Sequence, residues 1–378
     1  MAFERTTDLK RIAALLILFK LACWSIIAMY VLSGDRAFNS ENYRGSFCHW
    51  PFEGEPNSTS RLAAWDGAHY LHLACYGYRR HSSSSAFYPL WPALIRFVSE
   101  VTGMGVFVTG LLLSNLISIL AVVLFYRFVL DYRGETVAQI STMFLLAFPG
   151  ALFFNFIYTE PIFLLLLMVF FQRLSRGDFL RAGLVGVLLP LTKAIGIFIL
   201  APFLWRLYEA KAPLRKYLLA ALPLAGYFLY FFVIYTFTGD PFDGFQAQKY
   251  FPNHPSISNM LDLNGFMAAF LDVGSVHEIS NAITDRGFFL LFLIFLPAIW
   301  RLDKTWFAWA LFAGLVPAFA SWLVSYSRNL IMCFPLYVVI AESLKQKQRR
   351  WPVPYYLGCL ACLQILDLYR YLNFEWAG

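Results

Sequence analysis

Apolar residues fill this chain in long blocks, separated by several short polar gaps and two wide ones. Blocks of roughly bilayer-spanning length lie near 12–33, 104–130, 137–156, 158–172, 180–192, 196–208, 217–238, 287–300, 306–324, 330–344 and 352–370. They predict an all-α polytopic bundle of about eleven transmembrane helices. Several blocks fall short of the ~20 residues that a perpendicular span needs, so 180–192 and 196–208 are expected to be broken or shallow helices. The two wide gaps, 34–86 and 239–285, are expected as large loops carrying interfacial helices.

Composition strengthens the membrane reading. With 59% hydrophobic and 14% charged residues and a mean hydropathy of +0.59, the chain lies outside the range of soluble domains. Its 39 Phe, 21 Tyr and 11 Trp suit a helical bundle with aromatic belts better than an outer-membrane barrel. No internal repeat is visible, so residues 1–378 read as a single domain. Residues 12–33 lack a convincing small-x-small cleavage site and read as the first span.

Charge sets the orientation. Lys and Arg cluster at 5–11, 127–133, 173–181, 206–216, 301–304 and 345–350, and all of these fall on one side if the N-terminus is cytoplasmic. Loops 34–86 and 239–285 then face the lumen or extracytoplasmic space. The net charge of +7 is accounted for by this bias, and no nucleic-acid partner is implied. Six cysteines show no metal-ligand spacing; Cys48 and Cys75 share the first outer loop and are candidates for a disulfide.

Against this background the isolated polar residues stand out. In "WDGAHYLHLACYGY" (65–78), Asp66 and His69 share a helical face, flanked by Trp65 and Tyr70; an N-cap role for Asp66 is the plainer alternative. Glu160 lies between Tyr158 and Pro161 where two apolar blocks meet at the outer face. Lys193 and Arg328 are outer cations at helix ends, against the positive-inside trend. A carboxylate beside outer cations in a lipid-accessible bundle suits chemistry on a lipid phosphate: Asp66 takes a proton, Lys193 and Arg328 hold phosphate oxygens. A transporter or flippase of lipids or lipid-linked sugars, using the same charges as a gate, is the alternative. Asp240 and Asp243 in "GDPFDGF" read as a turn more readily than as a cation site. Neither metal nor cofactor is expected.

These segments resemble the PIG-V-like (GPI mannosyltransferase 2) family of polytopic GT-C glycosyltransferases. The resemblance rests on "WDGAHYLHLACYGY", "AFYPLWPALIR" (86–96), "YTEPIF" (158–163), "LTKAIG" (191–196), "TGDPFDGFQAQKYF" (238–251) and "SRNL" (327–330). It implies an inverting transfer of mannose from a polyprenyl-phosphate donor, such as dolichyl phosphate mannose, to a hydroxyl of a glycolipid, glycan or protein. Asp66 is then the base and Lys193 and Arg328 the donor-phosphate ligands, while Trp65, His69, Tyr70, Tyr88, Glu160, Asp240 and Gln248 bind substrate. Such a protein is expected in a bacterial or archaeal plasma membrane or in the endoplasmic reticulum.

Overall fold

A computed structural model describes residues 2–32, 40–46, 48–274, 282–346 and 352–377. Parts of both expected loops (33–39, 47 and 275–281) and the basic positions 347–350 lie outside the described residues. Among those described, all regular structure is helical. In chain order the principal helices are α1 (Ala2–Leu32), α2 (Asp66–Tyr76), α3 (Leu90–Thr102), α4 (Val106–Arg133), α5 (Glu135–Ala147), α6 (Glu160–Ser175), α7 (Phe179–Leu188), α8 (Leu200–Glu209) and α9 (Leu222–Thr238). They continue with α10 (Leu263–Leu271), α11 (Ile283–Leu302), α12 (Lys304–Ala320), α13 (Tyr326–Leu330), α14 (Phe334–Gln346) and α15 (Pro352–Leu372).

The apolar blocks and the helices coincide closely, and four segments (Ile12–Val31, Val106–Arg133, Leu214–Thr238 and Ile283–Leu302) are long and apolar enough to cross a bilayer. Leu218 and Phe228 are 75% and 73% exposed, as lipid-facing side chains are. Four blocks depart from single spans. The stretch 180–208 divides into α7, a turn and a 3₁₀ segment (Ala194–Ile199) leading into α8, which gives the short helices expected there. The block 137–156 stops being α-helical at Ala147, because Pro149 drives Phe148 into extended backbone and the chain continues as a 3₁₀ turn, Pro149–Phe154. The block 306–324 ends at Ala320, in a turn where Trp322, Leu323 and Ser325 take φ of +48°, +69° and +56°.

α6 is the axis of the bundle, packed against α4 and α7. Its sequence suits its ends: Glu160 and Pro161 open it and Arg173 lies in its last turn, matching charge to the helix dipole and proline to the first turn. Phe163, Phe170 and Phe171 on α6 join Phe128, Trp309 and Phe334 in a buried aromatic core. Close packing of α9 on α7 requires Gly226, where a Cβ would stand 2.3 Å from the Val187 carbonyl oxygen.

The two ends of α6 differ. At Ser175 it meets the basic ends of other helices: Arg206 donates to the Ser175 carbonyl at 3.3 Å, Arg133 to the Leu302 carbonyl at 2.7 Å, and Thr305 to Glu209 at 3.2 Å. About 24 Å away, at 1.5 Å per residue, Glu160 opens the helix at the end that carries the layer built by the two wide loops. There His81 N–H donates to Asp243 at 3.1 Å and Gln248 donates to the Ala86 carbonyl at 3.2 Å, joining one loop to the other. Helix α2 lies inside this layer rather than along its surface, with Ala68, His69, Tyr70 and Leu71 all buried. Cys48 and Cys75 are free thiols, so the disulfide is not formed.

Candidate active site

Asp66 is the first residue of α2, entered through Trp65 at φ +55°, and the N-cap is Trp65, which makes no side-chain cap. The capping reading of Asp66 therefore fails. Its carboxylate faces Arg328 instead: Nη2 donates to Oδ2 at 2.6 Å, with both side chains 13% exposed. Arg328 sits on α13, directly after the strained turn at Trp322–Ser325, so a positive-φ residue precedes each member of the pair. Asp285, at the start of α11, fastens that turn by accepting from the Ser327 N–H at 2.7 Å.

Behind the pair lies Glu160, wholly buried. Its Oε1 accepts from Lys193 Nζ at 2.6 Å and stands 3.0 Å from Arg328 Nε. The guanidinium also lies over the rings of Tyr158 and Phe153, 5.1 and 5.3 Å from their centroids. Burial lowers the Lys193 ammonium below the usual lysine range, opposed foremost by Glu160. Burial also acts to lower Arg328, but Asp66 and then Glu160 outweigh it and raise the group overall. Two cations and two carboxylates thus share one buried chain of contacts, Asp66–Arg328–Glu160–Lys193.

Asp66, Lys193 and Arg328 open onto a cavity of about 280 Å³ together with Tyr70, Tyr88 and Gln248. One side of it is apolar, formed by Ala194, Ile195, Val316, Pro317 and Ala320. Tyr70 reaches Thr159 Oγ1 at 3.3 Å, and Tyr88 stacks on Tyr230 at 4.7 Å. Four other expected residues do not line this cavity. Glu160 lies beneath it. Trp65 packs edge-on to Trp376, 5.2 Å between centroids. His69 stands 2.9 Å from Ser84 Oγ and stacks on Phe87 at 4.7 Å, and burial, then His72 and His49, pushes it down to about 3, so it is neutral. Asp240 closes its own turn, accepting from the Phe242 N–H and from Gln246 Nε2, both at 2.9 Å.

The cavity also has walls that sequence reasoning missed: Phe87, Phe251, Asn329 and Trp376. A further unforeseen group supports the 3₁₀ segment leading to Glu160: Lys20 of α1 donates to the Phe154 carbonyl at 2.8 Å, Asn115 at 3.0 Å and Asn155 at 3.1 Å. Its signal in the sequence was a lone lysine within the first apolar block. Gly150 of the same segment lies against the backbone of Arg328; a Cβ there would stand 3.0 Å from the Ser327 carbonyl oxygen and 3.2 Å from Arg328 Cα.

Among curated proteins, none matches the chain. Solved structures of related shape include the Archaeoglobus fulgidus oligosaccharyltransferase in complex with Zn and sulfate, with 13% identity and a TM-score of 0.48 over 93% of this chain and 53% of that one. Apo ArnT from Cupriavidus metallidurans follows at 14% identity and a TM-score of 0.47, over 94% and 63% of the two chains. ArnT bound to undecaprenyl phosphate gives 12% and 0.45, over 95% and 71%. The chain thus spans between about half and two thirds of the first two proteins' length. The resemblance read from the motifs is borne out over part of the chain: residues 52–204, which carry Asp66, Tyr70, Tyr88, Glu160 and Lys193, match the mannosyltransferase (PIG-V) family.

Proposed function

We propose that this protein transfers a sugar, mannose on the family match, from a polyprenyl-phosphate donor to an acceptor hydroxyl at the membrane face opposite its basic helix ends. The observation that carries this reading is the convergence of Asp66, Lys193 and Arg328 on one cavity with an apolar side. The charged wall suits a phosphate and the apolar side suits the start of a prenyl chain. The basic ends of α4, α6 and α8 at the far end of the bundle support, by the positive-inside rule, a cavity outside the cytoplasm.

In the transfer, the acceptor oxygen bonds to the anomeric carbon on the face opposite the phosphate, and the bond from that carbon to the phosphate oxygen breaks with inversion. The bonding pair leaves with the polyprenyl phosphate, whose growing charge is met by Arg328 and Lys193. The acceptor proton passes to Asp66, whose placement on the cavity wall beside Arg328 suits a general base. Glu160 holds both cations from behind. Tyr70, Tyr88 and Gln248 line the space for sugar and acceptor.

The test is incubation of the purified protein in nanodiscs with radiolabelled polyprenyl-phosphate mannose and a panel of glycolipid, glycan and peptide acceptors. Label transferred to any acceptor supports the reading, and more transfer from polyprenyl-phosphate glucose than from the mannose donor would correct the sugar. Absence of transfer from every lipid-linked donor, by protein that binds polyprenyl phosphate, overturns it.

A further inference from the structure

We propose that Arg328 passes between Asp66 and the donor phosphate, staying beside Glu160, so that the Asp66 carboxylate is free to meet the acceptor hydroxyl only once the donor is bound. The inference rests on the glycosyltransferase reading above and adds an order of events to it.

The geometry of one guanidinium points to the exchange. Arg328 Nε stands within ion-pair distance of Glu160 Oε1, 3.0 Å, without a hydrogen bond between them, and that carboxylate is buried and already shared with Lys193. Glu160 is therefore the fixed end. The other end carries Nη1 and Nη2, the pair left to grip a phosphate in the two-pronged manner that guanidinium favours. Nη2, however, is spent on Asp66 Oδ2 at 2.6 Å. A phosphate that takes both prongs must draw Nη2 away from Asp66. Both side chains are on the cavity wall, so the exchange needs rotation of the fork and no movement of a helix.

The exchange changes what Asp66 can touch. An acceptor arriving before the donor meets a carboxylate whose Oδ2 is already taken by Arg328 Nη2. An acceptor arriving after it finds that oxygen free to accept its hydroxyl. Glu160, touching neither acceptor nor donor, is a positioning residue in this scheme.

A double-mutant cycle on binding separates this exchange from plain repulsion between Asp66 and the phosphate. Decaprenyl phosphate affinity is measured in nanodiscs for wild type, Asp66→Asn, Arg328→Met and the double variant, with decaprenol as the uncharged control and thermal melting to confirm folding. Removal of the competitor in Asp66→Asn is expected to tighten decaprenyl phosphate about tenfold while leaving decaprenol unchanged, and this gain vanishes in the Arg328→Met background. An equal gain in both backgrounds, or none in either, overturns the exchange. Should Asp66→Asn or Arg328→Met fail to fold, Asp66→Ser and Arg328→Lys carry the same comparison, the lysine keeping the charge without the fork and so shrinking the gain. Wild-type transfer assays run alongside keep the two claims apart. Transfer with no coupling sinks the exchange alone, whereas a protein that transfers nothing sinks the enzymatic reading.

Discussion

Lys193 Nζ stands 2.6 Å from Glu160 Oε1, joining a turn after α7 to the first residue of α6 inside a buried environment. Removing the ammonium leaves buried Glu160 with Arg328 alone for compensation, so the cost stays below the about 3–5 kcal/mol of a wholly unpaired buried charge. Lys193→Met is therefore expected to lower the melting temperature of the purified protein and to raise the donor KM by about tenfold or more, a loss of about 1.4 kcal/mol in donor binding. Lys193→Arg should recover part of both. Unchanged donor kinetics in Lys193→Met would remove this residue from the phosphate site.

Asp66→Asn probes the base. The helix is not capped by this side chain, so folding should survive, while a positioned base contributes about 10²–10⁴ in rate. Turnover should fall by that factor without loss of donor binding. A folded variant with a near-normal rate would exclude Asp66 as the base and leave Glu160 as the next carboxylate to test.

Two glycines separate geometry from stability. Gly150→Ala pushes on the backbone of Ser327 and Arg328 by a few tenths of an ångström, and a displaced fork is expected to cost about tenfold in kcat with little change in melting temperature. Gly183→Ala, in the first part of α7, would set a Cβ 2.8 Å from the Leu219 carbonyl oxygen and should cost about 1–3 kcal/mol of stability while folded molecules keep their kcat. Melting curves and initial rates on the same preparations check both. A Gly150→Ala enzyme with wild-type kcat would show that the position of Arg328 is loosely held.

His69 supplies a pH test. Its folded value of about 3 lies below the ~6.5 of an unfolded histidine, because burial, and after it His72 and His49, disfavours the cation. The neutral ring's contribution is complete above pH ~6.5 and is lost progressively as pH falls from there toward 3. Thermal stability should therefore decline between pH 6.5 and 4.5, less steeply in His69→Gln. Equal slopes for the two proteins would assign the acid sensitivity to other groups.

Orientation is checked by labelling single cysteines in a background lacking the native six. His81→Cys and Ile257→Cys occupy exposed positions in the two loops, and Arg181→Cys an exposed position near the other end of α6. An impermeant maleimide applied to intact cells should label the first two and spare the third. The reverse pattern would place the cavity in the cytoplasm and deny it an outer-leaflet donor.

Much of the site was legible because charge is costly in an apolar chain. Glu160, Lys193 and Arg328 each interrupt or border a hydrophobic block, Asp66 lies among aromatic residues in the first wide loop, and all four meet in one chain of contacts. Aromatic residues carry no such signal: among 71 Phe, Tyr and Trp, nothing in the local pattern distinguishes Phe251 or Trp376, which line the cavity, from those that face lipid. Strain was equally hidden, since Trp322, Leu323 and Ser325 turn through positive φ without a glycine to announce it. Pro149 and Gly150 did announce the break after α5, but the unbroken hydrophobicity around them made the stretch read as one span. Asp240 was misleading in the other direction, an acid in a plausible motif whose oxygens serve its own turn.

The chain of two carboxylates and two cations is electrically neutral as it stands, and this bears on how charge moves during the proposed transfer. A phosphodiester donor brings one negative charge into the neutral site. When the sugar leaves, the phosphate becomes a monoester with up to one more negative charge, while Asp66, having taken the acceptor proton, becomes neutral. The sum is therefore the same before and after. Only its position shifts, from the carboxylate toward Arg328 and Lys193, and no ion has to cross the apolar surroundings to keep pace with the chemistry. A proton lost from Asp66 to water once the acceptor departs would then leave the cations holding a more negative lipid, next to a carboxylate that is again charged and able to reclaim Arg328. On this view, the same residue that accepts the proton also helps to expel the spent carrier.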